Sequence, residues 1–373
     1  MMRNRHLSRR EFVARMSAAA AALAVGCGSD SNPLTGEVAD GGVLPTPDPL
    51  PPGMDARVAT ANLTGYDTAA LRTTLRDMVD SLGGFGNLVS AGDKVGIKLN
   101  LTGGSGNAES VPGRFGEPAA ELFWTHPEIV RVVGEMFKDA GAGRIVLMEA
   151  IYDEGSFYNY GFGEVAEALD AEFVDLNVVA PYSEFAQMEV PDQLGRYDSY
   201  TMNRALHDLD VFVSLPKAKR HASAGVTHAM KNQVGSIPLS FYNSGAGHRA
   251  DLHARGNATL VRNFLDINKI RPIHFSVNDA IKTAEHGEGP WVRGFRTARF
   301  DTLIAGMDPV AVDSVSTQVM GYDPMAADEA GPFGDDLVTT DNYLRLAEES
   351  NMGVHDLSRI QVVDATVSSL VSG

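Results

Sequence analysis

Cysteine is almost absent from this sequence, because its 373 residues include only Cys27. A single cysteine cannot form an intrachain disulfide, and it cannot supply the thiolates of a zinc knuckle or an iron–sulfur cluster. A cysteine nucleophile within the folded domain is excluded for the same reason. We therefore expect no Cys-ligated iron–sulfur cluster, and any site chemistry must come from oxygen and nitrogen side chains.

Long apolar runs are also lacking near the N-terminus. The alanine-rich run at residues 16–26 is shorter than the roughly 20 residues that a helix needs to cross a hydrocarbon core. Arg9, Arg10 and Phe12 precede this run and match the twin-arginine export pattern. Basic residues before an apolar run and small residues after it are typical of a targeting segment. We predict a twin-arginine signal peptide at residues 1–26, with a short amphipathic helix as the alternative.

Cys27 follows this segment directly, after Leu-Ala-Val-Gly. A lipoprotein peptidase cuts before such a cysteine, which then carries a lipid, so we predict lipidation of Cys27. Each buried methylene contributes about 0.8 kcal/mol to membrane binding. A plain signal with an incidental cysteine is the alternative. We expect export by the twin-arginine machinery to the periplasm or cell envelope, with the lipid as the only membrane anchor.

Positive charge is scarce, with 31 Lys and Arg against 48 Asp and Glu and a net charge of −17 at pH 7. Such a surface repels nucleic acids and anionic headgroups. Nucleic acid is therefore not an expected partner. A site for an anionic ligand would have to be a local basic pocket.

The chain after the signal divides into a linker and a long patterned region. Residues 27–55 are rich in Gly, Pro, Ser and Asp, which is typical of a semi-extended linker. Helical and strand patterns alternate over residues 56–373, which favours an α/β fold. We predict a largely parallel or mixed sheet with helices on both faces, in one domain or two lobes.

Polar residues recur just after the predicted strands. In open α/β sheets the carboxyl ends of the strands frame the ligand crevice, so these groups predict one composite site. The alternative is that they are ordinary polar loops. The groups are Lys98 with Asn100; Glu149 with Asp153; Lys217, Lys219, Arg220 and His221; Asn278 with Asp279; and Asp308.

The richest stretch is residues 217–235. A helix beginning at Thr227 would place His228 and Lys231 on one face, and its free N–H groups would favour an anion. Imidazoles suit a transition metal, whereas lysines suit a carboxylate or phosphate. A solvated basic patch is the alternative. The predicted catalytic residues are Lys219, His221, His228 and Lys231, of which His221 and His228 are also predicted to bind a divalent metal.

Three further places offer side chains to such a site. His248 and His253 lie in a Gly-rich segment that is typical of a mobile loop. Glu288 lies in a turn at residues 285–290 and could serve a cation or act as a general base. Asp313 follows the helix start at Asp308 and sits among apolar residues, so it needs a partner if buried.

An ordered set of motifs resembles the family known as domain of unknown function 362. The motifs occupy residues 95–100, 125–130, 139–142, 215–221, 225–232, 287–290, 305–313 and 320–322. The resemblance implies an α/β fold and little settled biochemistry. Some members carry ferredoxin-type cysteines, which this chain lacks. The chain also has a distant similarity to nickel-dependent lactate racemases, which use lysines and histidines near a cofactor.

These observations predict an exported α/β protein with a Lys/His-rich cleft. We expect a metal- or cofactor-dependent enzyme acting on a small anionic substrate. The alternatives are a non-catalytic envelope lipoprotein that binds a small anionic ligand, and a scaffold with a vestigial site. The predicted ligand-binding residues are Lys98, Asn100, Lys217, Asn232, Asp279, Glu288 and Asp313.

Overall fold

The structure, a computed structural model, describes residues 50–244 and 249–365. The predicted signal peptide, Cys27, most of the predicted linker and His248 lie outside these residues. The described residues belong to one compact unit, so the second lobe left open by the sequence is not seen among them. None of the helices in this part of the chain is long and apolar enough to span a membrane.

An eight-stranded sheet forms the centre of the fold, in the order β12-β1-β11-β10-β7-β2-β3-β4. Its strands are β1 (Ala56–Asn62), β2 (Lys94–Lys98), β3 (Arg144–Glu149), β4 (Glu172–Asp175), β7 (Val211–Ser214), β10 (Phe275–Glu285), β11 (Arg296–Gly306) and β12 (Ile360–Asp364). Strand β11 runs antiparallel to both of its neighbours. The other pairings are parallel. The prediction of a largely parallel or mixed sheet is therefore confirmed.

Helices cover both faces of this sheet, as the alternating sequence pattern predicted. The helices are α1 (Thr68–Ser81), α2 (Gly104–Phe115), α3 (Ala119–Leu122), α4 (Pro127–Asp139), α5 (Gly155–Tyr158), α6 (Phe162–Ala168), α7 (Ala229–Asn232), α8 (Asn257–Ile270), α9 (Pro309–Val319) and α10 (Tyr343–Glu349). Short 3-10 turns occupy Arg204–Leu206, Gln233–Ser236, Ala250–His253, Gly331–Phe333 and Leu357–Arg359.

Strand β3 shows why two helical layers form. Ile145 and Leu147 pack in a core with α1 and α4, whereas Val146 and Met148 pack in a second core with α8 and α10. Successive side chains of a strand point to opposite faces, so a strand that is apolar throughout must be covered on both sides.

Two small hairpins lie outside the main sheet. One pairs β5 (Phe185–Glu189) with β6 (Ser199–Asn203), and the other pairs β8 (Lys219–His221) with β9 (Gly225–Thr227). The second hairpin corrects the prediction of a helix from Thr227. Thr227 ends a strand, His228 keeps an extended backbone, and α7 begins only at Ala229.

Candidate functional site

A cavity of about 440 Å³ opens beside the carboxyl ends of β2, β3 and β7. In open α/β sheets, ligands commonly bind at the carboxyl ends of the parallel strands. Its lining is mostly polar and comes from segments far apart in the sequence. The lining residues are Asn100, Thr102, Gly103, Asn107, Glu149, Tyr152, Lys219, His221, Ser223, Thr227, Lys231, Asn232, Val234, Gly235, Arg249, His253, Glu288 and Trp291.

The β8–β9 hairpin presents two of the predicted catalytic residues to this cavity. Lys219 pairs with Thr227 and His221 pairs with Gly225, so Lys219, His221 and Thr227 share one face of the hairpin. All three line the cavity. Arg220 lies on the other face and binds Asp335 at 2.8 Å.

Lys219 is held firmly at the cavity wall. Its Nζ donates hydrogen bonds to Asn100 Oδ1 at 3.0 Å and to the Phe123 carbonyl. Burial lowers the pKa of Lys219 to about 7, and the charge of Lys231 adds to this effect, although Glu288 opposes it. Lys219 can therefore exchange a proton near neutral pH.

Lys231 reaches the cavity from α7 without a fixed partner. Among residues 50–244 and 249–365, its ammonium group makes no hydrogen bond or ion pair. Burial lowers the pKa of Lys231 to about 8, while Arg249 and Lys98 repel its charge and Glu288 offsets part of the effect. An anion in the cavity would remove this electrostatic cost.

Asp313 explains how α7 is fixed. Its carboxylate accepts hydrogen bonds from Ala229 N at 2.8 Å and Met230 N at 3.1 Å. Asn278 and Tyr343 each donate to it at 3.0 Å. The N-terminal amides that were predicted to favour an anionic ligand are thus bound by Asp313. Asp313 therefore has a structural role, and it does not line the cavity as predicted.

His221, Glu288 and Trp291 form another part of the cavity wall. His221 Nδ1 accepts the Ser223 amide at 3.0 Å and lies 3.8 Å from Glu288 Oε2. Burial lowers the pKa of His221 to about 3, so the ring is neutral. Glu288 accepts the Ala222 amide at 3.0 Å and the Trp291 indole at 3.1 Å.

Glu288 remains an anion in this wall. Burial opposes its ionisation, but the hydrogen bonds from Ala222 and Trp291 hold its pKa below the usual range. It is the one carboxylate of the cavity lining without a lysine partner among the described ion pairs. The wall therefore combines a neutral imidazole with a fixed negative charge.

Three cavity residues bearing a charge or an imidazole were not among the predicted catalytic or ligand-binding residues, namely Glu149, Arg249 and His253. Arg249 is buried, and its guanidinium donates to the Ile237 carbonyl at 2.7 Å and to the Ala150 carbonyl at 3.4 Å. His253 follows on the next turn and also lines the cavity. Arg249 and His253 both lie in a Gly-rich segment with no strand or helix pattern, so the local sequence carried no signal of their position.

Lys98 and Glu149 form a buried ion pair of 2.9 Å, in which Glu149 lines the cavity and Lys98 lies outside its lining. Lys98 Nζ also donates to the Leu99 carbonyl at 2.7 Å. Gly235 covers the pair, because a Cβ atom at this position would overlap Lys98 Nζ and Glu149 Oε1. The pair contributes no net charge to the cavity.

Lys217 and Asp279 form a second buried pair away from the cavity. Lys217 Nζ binds Asp279 Oδ2 and also donates to Tyr66 OH at 2.9 Å. The Tyr66 hydroxyl donates to Asp279 at 3.0 Å, and its ring stacks on His126 at 3.8 Å. Neither Lys217 nor Asp279 lines the cavity, so the expectation that they join the composite site is not met.

The structure does not bring His228 to His221. His228 continues the extended backbone of β9 by one residue, so it points to the side of the hairpin opposite His221. It is fully buried, and neither ring nitrogen has a partner among the described atoms. Burial lowers its pKa to about 3.

The cavity does not fit a bare divalent metal ion. In residues 50–244 and 249–365, no three His, Cys, Asp or Glu side chains are grouped so that they could hold one. Lys219 and Lys231 line the same cavity as His221 and His253, the imidazoles that could bind a metal. The positive charge of the lysines would repel a cation there. The arrangement suits an anion, with oxygen atoms facing ammonium and guanidinium groups.

Known proteins resemble this chain in sequence and, weakly, in structure. A thylakoid-associated protein of Synechocystis is 28% identical over 274 residues, which cover 71% of this chain and 76% of that protein. Solved structures with a weak likeness to this chain include a Thermotoga maritima protein, at 11% identity and a TM-score of 0.39. The lactate racemase apoprotein of Thermoanaerobacterium thermosaccharolyticum follows at 12% identity and a TM-score of 0.36. Each match covers 69% of this chain but only 60% and 58% of those chains, respectively.

A family match covers the whole region that contains the predicted site. Residues 95–318 match the family described as Domain of unknown function (DUF362). This range includes every predicted catalytic and ligand-binding residue, from Lys98 to Asp313. The family resemblance inferred from the ordered motifs is thereby confirmed, and the chain belongs to the DUF362 family.

Proposed function

We propose that this protein binds a small anionic substrate in the basic cavity and acts on it as an acid–base enzyme. The observation that carries the proposal is the ammonium group of Lys231, which has no hydrogen-bond or ion-pair partner among the described residues and lies in a cavity that Lys219 and Arg249 also line. A buried cation without a partner is costly, and such groups are found where they meet a ligand charge. In a chain of net charge −17, this is a local basic pocket of the kind that the sequence required.

Lys219 is the proposed proton donor and acceptor. Its pKa of about 7 lies near the operating range, which is where a general acid–base group is most effective. Asn100 and the Phe123 carbonyl fix its Nζ at the wall. Lys231 and Arg249 are proposed to hold the substrate anion, and neutral His221 to orient it. The donor set does not support the predicted metal role of His221 and His228, so no step is routed through a metal.

The alternative is a non-catalytic binding protein. The oxygen atoms that accept from Lys219 are neutral carbonyl groups, which favour its ammonium form and so serve binding as well as proton transfer. Both functions predict anion binding. They differ in whether Lys219 moves a proton to or from the bound molecule.

Proton transfer can be tested with a panel of small anions, without assuming which reaction the protein catalyses. The purified chain would be incubated in D₂O with hydroxy acids, keto acids and dicarboxylates, and deuterium incorporation followed by NMR. We expect incorporation that Lys219→Met abolishes, with anion binding weakened but still measurable because Lys231 and Arg249 remain in the cavity. Binding without incorporation would favour the non-catalytic alternative. If no anion raises the melting temperature or binds by calorimetry, the anion-site proposal itself fails.

We also propose that the protein is exported by the twin-arginine pathway and anchored through a lipid on Cys27. The sequence pattern of residues 1–27 supports this, and so does a relative described as thylakoid-associated. Metabolic labelling with a fatty acid would test the anchor, with Cys27→Ala as the unlabelled control. Replacement of Arg9 and Arg10 by lysine should block export. Labelling that persists in Cys27→Ala would contradict the assignment.

A further inference from the structure

We infer that the ligand of the basic cavity is a dianion, and that Arg249 and Lys219 each receive one of its two acidic groups while Lys231 adds a further positive charge. This inference rests on the proposed anion site and adds the number and placement of the ligand charges. It is independent of whether the protein is an enzyme or a binding protein.

The charged groups that line the cavity favour a ligand with two negative charges. Among the described lining residues, Lys219, Lys231 and Arg249 bring three positive charges when both lysines are protonated, the form that a bound anion favours, and Glu288 brings one negative charge. Glu149 is paired with Lys98 at 2.9 Å, so those two cancel. His221 Nδ1 accepts an amide hydrogen bond, as a neutral ring does. An excess of two positive charges therefore faces the cavity, and a ligand with two negative charges would balance it.

The positions of the cations favour a ligand with two separate acidic groups. Lys219 is tied to Asn100, just past the end of β2, and to the Phe123 carbonyl. Arg249 is tied to the Ala150 carbonyl, just past the end of β3, and to the Ile237 carbonyl. Lys231 extends from α7 and makes no hydrogen bond or ion pair with any other residue that the structure describes. The cations are thus anchored at separate points of the wall, which suits two acidic groups better than one.

The size of the cavity limits the ligand. A volume of about 440 Å³ lies near the lower end of small-molecule sites. It is sufficient for a short dicarboxylate or a small phosphate monoester, and both share the required two negative charges. Guanidinium and ammonium groups recognise carboxylate and phosphoryl oxygens alike, so the experiment must separate these sources.

Two matched ligand pairs test the inference on the unmodified protein. Succinate and butyrate have equal chain length but differ by one charge, and methyl phosphate and methyl sulfate differ in the same way above pH 7. Calorimetry at pH 7.5 is expected to show that the dianion of at least one pair binds about tenfold more tightly than its monoanion. The pair that shows this preference identifies a dicarboxylate or a phosphoryl ligand.

Arg249→Met provides the second measurement. It is expected to weaken the preferred dianion by about tenfold and its monoanionic partner by much less. Dianion and monoanion affinities within about threefold of each other would overturn the inference but leave the anion site intact. If none of the four probes binds, the proposed anion site itself fails. The ligand comparison remains decisive even if Arg249→Met does not fold.

Discussion

Lys98 Nζ lies 2.9 Å from Glu149 Oε2, and this buried contact joins the carboxyl ends of β2 and β3. Burial lowers the pKa of Lys98 and raises that of Glu149, although each partner opposes the shift of the other. The cost of removing both charges from water therefore exceeds what their attraction returns. The pair is better explained by the shape and charge of the cavity than by stability.

Replacing Lys98 alone is expected to be costly. Lys98→Met leaves Glu149 buried without its partner, and we expect the free energy of unfolding to fall by about 3–5 kcal/mol. Lys98→Met combined with Glu149→Leu removes both charges and should regain most of this loss or exceed the original stability. Urea-induced unfolding of the two variants measures the difference. A single variant as stable as the parent would contradict the buried pair.

Lys231→Met is expected to stabilise the protein while it weakens anion binding. The pKa of Lys231 is lowered to about 8 in the folded state, against about 10.4 in the unfolded chain. The folded state therefore binds this proton less tightly, so the ammonium group costs stability below about pH 8, and the cost fades as the pH rises towards 10.4. We expect Lys231→Met to gain about 1–3 kcal/mol at pH 7 and less at pH 9.5.

The measurement is urea unfolding at both pH values, with Lys94→Met as a control at a partly exposed lysine. An equal gain at pH 7 and pH 9.5 would show that the charge of Lys231 is not its cause. A loss of stability at pH 7 would mean that Lys231 has a partner in the folded protein.

Asp313→Asn is expected to loosen α7. The carboxylate accepts four hydrogen bonds, and an amide NH₂ group in place of one oxygen cannot accept those made to that atom. We expect a loss of about 1–3 kcal/mol per donor left unsatisfied. Hydrogen exchange should speed up at the Ala229 and Met230 amides. Tyr343→Phe, which removes one donor only, is the milder control, and exchange rates unchanged in Asp313→Asn would contradict this role.

Gly289→Ala is expected to move Trp291 away from the cavity. A Cβ atom at Gly289 would overlap the six-membered ring of Trp291, which is 44% exposed and so can turn towards solvent. We expect a red shift of tryptophan emission and anion binding weakened by about 1 kcal/mol, roughly fivefold in Kd. Trp291→Phe identifies the share of the emission from Trp291, since Trp124 is buried. Unchanged emission would show that the ring tolerates the added methyl group.

Anion binding is expected to draw protons from solution near neutral pH. Burial lowers the pKa of Lys219 to about 7 and that of Lys231 to about 8, and a bound anion would raise both. Proton uptake should therefore be measurable at pH 8 by calorimetry in buffers of different ionisation enthalpy. Lys231→Met should reduce it. Proton release on binding would contradict the assigned charge states.

Elements with strong local signals could be predicted from the sequence. Asp67 caps α1 through the Ala70 amide, and Asp308 caps α9 through the amides of Val310 and Ala311. The central strands were found because continuous apolar runs mark strands buried on both faces. Helix α2 was missed, because it is Gly-rich and contains Pro112, both unfavourable within a helix.

The site was predictable only in part, for a physical reason. Asn100, Glu149, Lys219 and His221 line one cavity as the strand-end argument predicted, and Lys231, Asn232 and Glu288, predicted from other segments, line it as well. The same argument could not separate Lys217 from Lys219, because Asp279 captures Lys217 from a strand distant in sequence. Arg249 and His253 depend on the path of a Gly-rich segment, which tertiary packing determines.

Alternate residues of strand β8 point to opposite faces of the β8–β9 hairpin, so every second residue lines the cavity. Lys219 and His221 face the ligand, while Arg220 pairs with Asp335 behind them. Inserting one residue before Lys219 would exchange these sets, so that a guanidinium would replace both an ammonium and an imidazole. The spacing of this short stretch, more than its overall basicity, decides what the protein can hold.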